Sequence, residues 1–141
     1  MPRMTDEQWR PFAGAGTRTG KLAVVRRDGS PHVTPIWFLV DGDDLVFTTW
    51  SDSVKYRALR RENRLSVCVD DQEPPYSYVT ITATPTFVDD LAVVREWATR
   101  IGARYMGADR AEEYGARNSV PGEYLVRARI DSVVGFTGIA D

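Results

Sequence analysis

Apolar and polar residues alternate over much of this chain, and the alternation is strictest in residues 76–88. Every second side chain of a β-strand points to the same face, so this run predicts a strand with one buried face. The residues expected on the buried face are Val79, Ile81, Ala83, Pro85 and Phe87. Tyr78 and the intervening threonines belong to the opposite face.

Five shorter runs predict further strands, and turn residues separate most of them. These strands are residues 21–26, 32–40, 45–49, 65–69 and 123–134. Asp28-Gly29 favours a hairpin between the first two, and Asp41-Gly42-Asp43 predicts the next turn. Pro35 has no N–H to donate, so we expect it at a sheet edge, at a bulge or beside a ligand.

Helices are predicted where a capping residue precedes apolar residues at helical spacing. Residues 5–8 have the spacing of a capping box and predict a short, peripheral helix. Ser53 is the expected N-cap of a basic helix. Asp89 or Asp90 should cap a longer helix that packs its apolar face on the sheet. Residues 109–112 repeat the capping-box spacing and predict a second short helix.

The order of these elements predicts a mainly β protein with flanking helices, in the β+α class. Six antiparallel strands, mostly joined by tight turns, favour a small Greek-key or barrel architecture. The elements do not alternate as βαβα, and no Gly-x-Gly-x-x-Gly follows the first strand, which argues against a doubly wound nucleotide-binding fold. We expect residues 1–141 to form one domain, because no repeat, linker or low-complexity tract divides them.

Composition narrows the class of protein without identifying it. Hydrophobic residues make up 43% and charged residues 27% of the 141 residues, as in ordinary globular proteins. No apolar run approaches the roughly 20 residues that cross a membrane, and residues 1–19 lack the apolar core of a signal peptide, so a cytoplasmic location is expected. The net charge of −2 gives no general attraction to nucleic acid.

The single cysteine and the single histidine are too few for a conventional zinc site, so we expect no metal. Cys68 lies in the apolar run 65–69 and is expected to be a buried structural thiol. His32 has no sequence support as a general base for it.

Residues 48–64 carry the strongest indication of a binding site. A strand is predicted to lead into a short basic helix, with hydroxyl side chains at the junction. The first turn of a helix has unpaired N–H groups and a partial positive charge, so it can hold an anion. Lys55 falls within that turn. Its ammonium can reach the same anion as three nearby hydroxyls, those of Thr48, Thr49 and Ser51. The alternative is a capped surface helix whose basic face is hydrated.

The usual catalytic motifs are absent from this sequence. It contains no Gly-x-Ser-x-Gly elbow, no His-Glu-x-x-His and no Walker loop. A protein with an anion site but without a nucleophile or a metal most often binds a cofactor that carries the reactivity. We therefore expect cofactor chemistry.

In their order and spacing, residues 28–38, 46–49 and 55–67 resemble the pyridoxamine-phosphate-oxidase-like split β-barrel family. The match covers most of the chain. Within that family the sequence most resembles the actinobacterial branch that depends on the deazaflavin coenzyme F-420, and residues 97–115 resemble one subgroup closely. The resemblance implies a six-stranded Greek-key split β-barrel. It also implies a homodimer with two cofactor sites at the subunit interface, each built from both chains.

The same resemblance implies roles for individual residues. Lys55 would hold the cofactor phosphate, helped by Ser53. Arg60 or Arg61 would assist. The phosphate and ribityl path would be lined by Thr48 and Thr49. The residues implied to face the tricyclic ring are His32, Pro35, Ile36 and Trp37. The residues implied to come from the partner subunit are Tyr76, Ser77 and Tyr78.

Several of these residues also have a purely structural interpretation. Tyr76 and Tyr78 could be aromatic partners across strands, and Trp37 could belong to the core. His32 is better interpreted as a polar contact than as a catalytic base.

Three functions follow from the residues and the resemblance. The first is an oxidoreductase that passes a hydride from reduced F-420 to an electron-poor organic acceptor, such as an enone, a quinone-like ring or a tetrapyrrole. His32 and Tyr78 are its candidate proton donors. The second is an FMN-dependent oxidase or reductase of the same fold, which is less favoured because the second strand offers only His32 as a basic side chain. The third is a non-catalytic protein that stores a phosphorylated cofactor or binds haem.

Overall fold

The alternating runs form one antiparallel sheet in the computed structural model, which describes residues 2–141. The strands are Gly20–Val25 (β1), Pro31–Ile36 (β2), Leu39–Asp41 (β3), Asp44–Trp50 (β4), Leu65–Asp71 (β5), Ser77–Val88 (β6) and Glu123–Phe136 (β7). The helices are Asp6–Gly14 (α1), Val54–Glu62 (α2), Leu91–Met106 (α3) and Ala111–Arg117 (α4). The protein is therefore mainly β with flanking helices, as the order of elements predicts.

The two edge strands of the sheet follow one another in the sequence, so the sheet must curl until its two edges lie near each other. The strand order is β2-β1-β5-β6-β7-β4-β3, which puts β2 and β3 at the edges. Only Trp37 and Phe38 connect them. Three Cα–Cα steps of about 3.8 Å limit the gap between Ile36 and Leu39 to about 11 Å. Within residues 2–141 no strand pairing joins β2 to β3, so the barrel stays open along this line, here called the open seam.

The sheet has seven strands, whereas the sequence predicts six, because the predicted strand 32–40 is divided in two. The division occurs at Phe38, whose side chain is fully buried. The Phe38 N–H donates to the Tyr105 hydroxyl at 3.3 Å, and the Phe38 carbonyl accepts from Arg104 at 2.7 Å. Because the backbone of Phe38 bonds to α3, it is not available to a neighbouring strand. Pro35 lies on edge strand β2, one of the places expected for a proline.

The alternation in β6 has its predicted consequence. Val79, Ile81 and Ala83 are fully buried, while Thr82 and Thr86 are exposed. β6 pairs with β5 on one side and with β7 on the other, so its apolar face lies in the middle of the main core. The largest fully buried side chains of that core are Phe38, Phe47, Leu22, Leu45, Leu59 and Ile81.

Helix α1 belongs to the core, and the expectation of a peripheral helix is wrong. The predicted capping residues do begin it, since Gln8 Oε1 accepts a hydrogen bond from the Thr5 N–H at 2.9 Å. Trp9 and Ala13 expose only 3% and 0% of their surface and pack into the main core. A spacing of four residues puts both on one helix face. The polar residues around them hide this short apolar face in the sequence.

Helix α3 begins as predicted, whereas α4 begins later than predicted. Asp90 Oδ1 accepts a hydrogen bond from the Ala92 N–H at 3.1 Å and caps α3. Asp109 lies in a 3-10 turn, and α4 begins at Ala111 without a side-chain cap, so the capping-box prediction for residues 109–112 is wrong. No helix in the part of the chain that the structure describes is long and apolar enough to span a bilayer.

Arg104, near the end of α3, ties that helix to the open seam. Its guanidinium donates to the carbonyls of Ala13 at 2.8 Å, Gly16 at 3.0 Å and Phe38 at 2.7 Å. Within residues 2–141 Arg104 makes no ion pair, so carbonyl oxygens hold its charge. One side chain thereby joins α1, the loop after it and the link between β2 and β3.

Replacing Arg104 by Met is expected to lower the free energy of unfolding by about 3 kcal/mol, because several part-buried carbonyls lose a charged donor. Arg100→Met is the matched control. Arg100 is exposed on the same helix, with its guanidinium 4.0 Å from the centroid of the Trp97 ring. That control should lose less than about 1 kcal/mol. Equilibrium urea unfolding measures both variants, and equal losses would mean that the carbonyl contacts contribute little.

Candidate functional site

Six of the predicted site residues line one cavity, where the ends of β2 and β4 meet the start of α2. Its volume is about 260 Å³. The predicted residues that line it are Pro35, Ile36, Trp37, Thr48, Thr49 and Lys55. Five residues that the sequence did not indicate also line it: Trp50, Ala98, Ile101, Asn118 and Glu123. This space is called the Lys55 cavity below.

Positive charge is concentrated at the α2 end of the Lys55 cavity. Ser53 caps α2 as predicted, and its Oγ accepts a hydrogen bond from the Tyr56 N–H at 3.1 Å. Lys55 lies in the first turn, which contains no acidic residue. A lysine at this end opposes the helix dipole, so the fold alone gives no reason for it. Lysine and helix N-terminus together suit an anionic ligand.

The two threonines of β4, Thr48 and Thr49, have different roles in the Lys55 cavity. Thr49 is 3% exposed, and its Oγ1 lies 3.2 Å from Ser53 Oγ in a hydrogen bond that joins β4 to the start of α2. Thr48 is half-buried and lines the same cavity. Thr49 therefore positions the cap, while Thr48 is the more accessible of the two hydroxyls.

Trp37 forms an aromatic wall of the cavity. Its ring stacks on Tyr105, with centroids 5.2 Å apart and planes 5° apart. Tyr114 approaches the same indole at 5.5 Å with the planes at 59°. Ala98 and Ile101, both buried on α3, add apolar surface to the lining. Since Trp37 is half-buried, it packs on the tyrosines and still faces the cavity.

Glu123 is a carboxylate of this cavity that no local pattern indicated. It is the first residue of β7 and pairs with Trp50 across the sheet. Burial raises the pKa of the Glu123 carboxyl, and the positive charges of Lys55 and Arg117 partly oppose that rise. Its place beside Lys55 depends on the register between β4 and β7, which joins segments far apart in the sequence.

The turn at Gly122, directly before β7, positions Glu123 at the cavity. Gly122 has a φ of +101°, and a Cβ there would lie 2.5 Å from Trp50 Cζ3. The Gly122 carbonyl accepts a hydrogen bond from the Ser51 N–H at 2.9 Å. Only glycine combines this backbone conformation with such a close approach of the indole.

Arg60 and Arg61, the predicted helpers of the phosphate site, lie outside the Lys55 cavity. Arg60 Nε donates to the Tyr56 hydroxyl at 2.9 Å, and its guanidinium is 4.0 Å from the centroid of the Phe87 ring. Arg61 donates to the Val25 carbonyl at 3.0 Å. Helical periodicity turns positions five and six residues apart to different sides, so a basic run on α2 does not form a single basic face.

His32 does not line the Lys55 cavity either. On β2 it pairs with Val24, and Thr34 pairs with Leu22. Paired residues of antiparallel strands share a side, so His32 and Thr34 share the side of the buried Val24 and Leu22. His32 Nδ1 and Thr34 Oγ1 are buried and have no hydrogen-bond partner among residues 2–141. Within one chain His32 therefore does not join the other predicted residues.

Tyr76, Ser77 and Tyr78 line a separate space of about 480 Å³, called the Tyr76 cavity below. Cys68 also lines it and is half-buried, not fully buried as expected. Burial and the negative charge of Asp70 raise the pKa of the Cys68 thiol, which keeps the thiol protonated and makes it a poor nucleophile. One chain alone does not bring this group of residues to the Lys55 cavity.

The Lys55 cavity can bind a ligand that is anionic at one end and planar or apolar at the other. Lys55 and the start of α2 provide the cationic end, and Trp37 and Ile101 provide aromatic and apolar surface. Among residues 2–141 there is no group of three or more His, Cys, Asp and Glu side chains that could hold a metal ion.

The sequence matches one protein family over most of its length. Residues 5–133 match the family model described as pyridoxamine 5'-phosphate oxidase. None of the curated proteins matches the sequence.

Solved structures with the same fold include an F-420 reductase, a heme storage protein and a protein described only as conserved and hypothetical. A conserved hypothetical protein from Mycobacterium tuberculosis is 23% identical, with a TM-score of 0.80 over 92% of this chain and 82% of that one. An F-420 reductase is 25% identical, with a TM-score of 0.69 over 87% of this chain and 94% of that one. HutZ, a heme storage protein from Vibrio cholerae, is 16% identical, with a TM-score of 0.71 over 92% of this chain and 94% of that one. Because the family model spans all four helices and nearly the whole sheet, this chain belongs to the pyridoxamine 5'-phosphate oxidase family.

Proposed function

We propose that this protein is an oxidoreductase of the actinobacterial, F-420-dependent branch of its family. It would use reduced coenzyme F-420 to transfer a hydride to an electron-poor organic acceptor, such as an enone, a quinone-like ring or a tetrapyrrole. The observation that carries the proposal is the Lys55 cavity, in which one chain combines a cationic helix start with an aromatic wall. Family membership and the structural similarity to an F-420 reductase support it.

The residues of the Lys55 cavity fit a phosphorylated cofactor at its anionic end. Lys55 and the N–H groups at the start of α2 would hold the phosphate. Thr48 would donate its hydroxyl to the same region, and Ser53 would act through the cap that it forms with Thr49. These interactions need no metal ion.

The wall of the cavity fits the planar end of such a cofactor. Trp37 is held by Tyr105 and Tyr114, so its indole can present a fixed face to an aromatic ring. Ile101 and Ala98 contribute apolar surface at this end. Backbone groups near Pro35 are open to a ligand because β2 is an edge strand.

The chemistry would come from the cofactor and the positioning from the protein. Reduced F-420 supplies a hydride from its deazaflavin ring, and a proton completes the reduced acceptor. The residues named above would hold the ring and the acceptor in contact and keep water out. His32 and Tyr78 do not line the Lys55 cavity of their own chain, so either of them would act as proton donor from the partner subunit.

The Lys55 cavity of one chain is small for such a ligand, which supports a site shared between two subunits. Its volume of about 260 Å³ lies below the roughly 300–1,000 Å³ of typical ligand pockets. We propose a homodimer in which the partner subunit's Tyr76, Ser77 and Tyr78 complete the cavity. Tyr76 is 44% exposed and has a φ of +64°, a conformation that costs a non-glycine residue on the order of 1 kcal/mol. Hydrogen bonds within the chain hold this backbone, since the Tyr76 N–H donates to the Glu73 carbonyl at 2.8 Å and the Tyr76 carbonyl accepts from the Ile139 N–H at 3.0 Å. The exposed ring would pack against the partner subunit.

Replacing Lys55 by Ala should weaken F-420 binding by about ten- to a hundredfold, the loss expected for one charged hydrogen bond to the phosphate. A parallel fluorescence titration with F-420 and with FMN measures both affinities in both proteins. Arg57→Ala is the matched control, because Arg57 is an exposed cation on the same helix that pairs with Asp52 at 2.7 Å. It should change binding by no more than about twofold.

The outcomes of this titration separate the candidate functions. Preference for F-420 that is lost in Lys55→Ala supports the proposal and leads to a screen of acceptors. Preference for FMN would keep the phosphate site but assign a flavin enzyme. Tight binding of F-420 with no acceptor reduced would favour a cofactor-storage protein. Binding of neither cofactor would overturn the proposed function.

Replacing Tyr76 by Ser should weaken the proposed dimer by at least about tenfold, because a tyrosine at an interface hot spot contributes about 2 kcal/mol or more. Sedimentation velocity over a range of protein concentrations measures the dissociation constant. Val120→Ser serves as the control, since Val120 is 45% exposed but does not line the Tyr76 cavity. A monomeric wild-type protein would contradict both the dimer and the shared site.

A further inference from the structure

We propose that Glu123 determines which anionic ligands the Lys55 cavity accepts. Its carboxylate accepts hydrogen bonds from hydroxyl groups that neighbour the ligand's phosphate, and it repels anions that lack such hydroxyls. The ligand class selected in this way is the phosphate ester of a polyol or sugar. This inference rests on the proposed function in one respect, namely that the Lys55 cavity holds a phosphate.

Glu123 and Lys55 line the same cavity without pairing to each other. Glu123 begins β7 and Lys55 lies in the first turn of α2, and both side chains are half-buried. Within residues 2–141 neither side chain makes an ion pair. Lys55 and Arg117 still act on the Glu123 carboxyl through their charge. The cavity therefore presents one cation and one acceptor, neither of which the protein itself satisfies.

The Glu123 carboxylate is half-buried and keeps some contact with solvent, since only His32 Nδ1 and Thr34 Oγ1 are buried without a partner among residues 2–141. Burial raises the pKa of Glu123, which reflects the missing solvation of its charge. The charged groups that face it are Lys55 from α2 and Arg117 from the end of α4, and the other neighbours are the Asn118 amide and the Trp50 ring. A ligand hydroxyl would replace water as the hydrogen-bond donor to this carboxylate when the ligand fills the cavity.

The same carboxylate acts against a bare tetrahedral anion. Inorganic sulfate or phosphate would gain the attraction of Lys55 and of the helix N-terminus but would bring a second negative charge near Glu123. A polyol phosphate offsets that repulsion, because its hydroxyls donate to Glu123 while its phosphate meets Lys55. Lys55 thus recognises the phosphate of the ligand, and Glu123 recognises the neighbouring hydroxyl donors.

Two substitutions separate the charge of Glu123 from its ability to accept a hydrogen bond. Glu123→Gln removes the charge but keeps an acceptor oxygen, and Glu123→Ala removes both. The probes are FMN and F-420, which carry a polyol beside a phosphate, and inorganic sulfate, which carries only the anion. Isothermal titration calorimetry at one pH measures all affinities, and urea unfolding checks that each variant is folded.

The expected changes have opposite signs for the two kinds of ligand. Glu123→Ala should weaken binding of the cofactor that the wild type binds by about tenfold, because one hydrogen bond to a charged acceptor is lost. The same variant should bind sulfate a fewfold more tightly. Glu123→Gln should tighten sulfate to a similar extent while keeping most of the affinity for the cofactor. A residue that only supports the fold would weaken both ligands.

Other patterns would overturn the inference. Tighter binding of both ligands in both variants would mean that Glu123 only repels anions. Weaker binding of both, or no change in either, would mean that it does not select ligands at all. If the wild type binds a cofactor and loses it in Lys55→Ala but not in the Glu123 variants, only this inference fails. If the wild type binds neither cofactor nor sulfate, the proposed function fails with it.

Discussion

The guanidinium of Arg104 is bound by backbone carbonyls that belong to three separate segments, the end of α1, the loop after it and Phe38. A guanidinium has five N–H donors in a rigid plane, so it can hold several carbonyls in one arrangement. Because the link between β2 and β3 has no strand partner of its own, this contact determines its path. The position of Phe38 in turn determines that of Trp37.

The candidate site depends on that path. Tyr105, the residue after Arg104, accepts a hydrogen bond from the Phe38 N–H and stacks on the Trp37 ring. The same part of α3 thus ends β2, anchors the buried Phe38 and turns the neighbouring indole toward the start of α2. The contacts that hold Phe38 in the core therefore also position Trp37 in the cavity wall. The cationic end of the cavity is independent of it, since Lys55 is positioned by the cap at Ser53 and by β4.

The contrast between contacts near in sequence and contacts distant in sequence explains how much could be predicted from the sequence. The cap at Ser53, the place of Lys55 and the buried face of β6 depend on residues near in sequence, and local patterns predict them. The break at Phe38 depends on hydrogen bonds to residues more than 60 positions away. Glu123 reaches the cavity through the register of β4 and β7, and Arg60 leaves it because aromatic rings hold it elsewhere. The family resemblance implies that Tyr76, Ser77 and Tyr78 come from the partner subunit, and within one chain these residues line a cavity separate from that of Lys55.

The open seam also bears on how this protein avoids unwanted assembly. An open barrel has two edge strands, and such edges can recruit a strand from another molecule into a growing aggregate. Here β3 has only three residues, and β2 contains two prolines, Pro31 and Pro35, among its six residues. Prolines remove N–H donors from an edge, and a strand of three residues offers little length for pairing. The barrel can therefore stay open near the candidate site without presenting a long edge strand as a template for fibril growth.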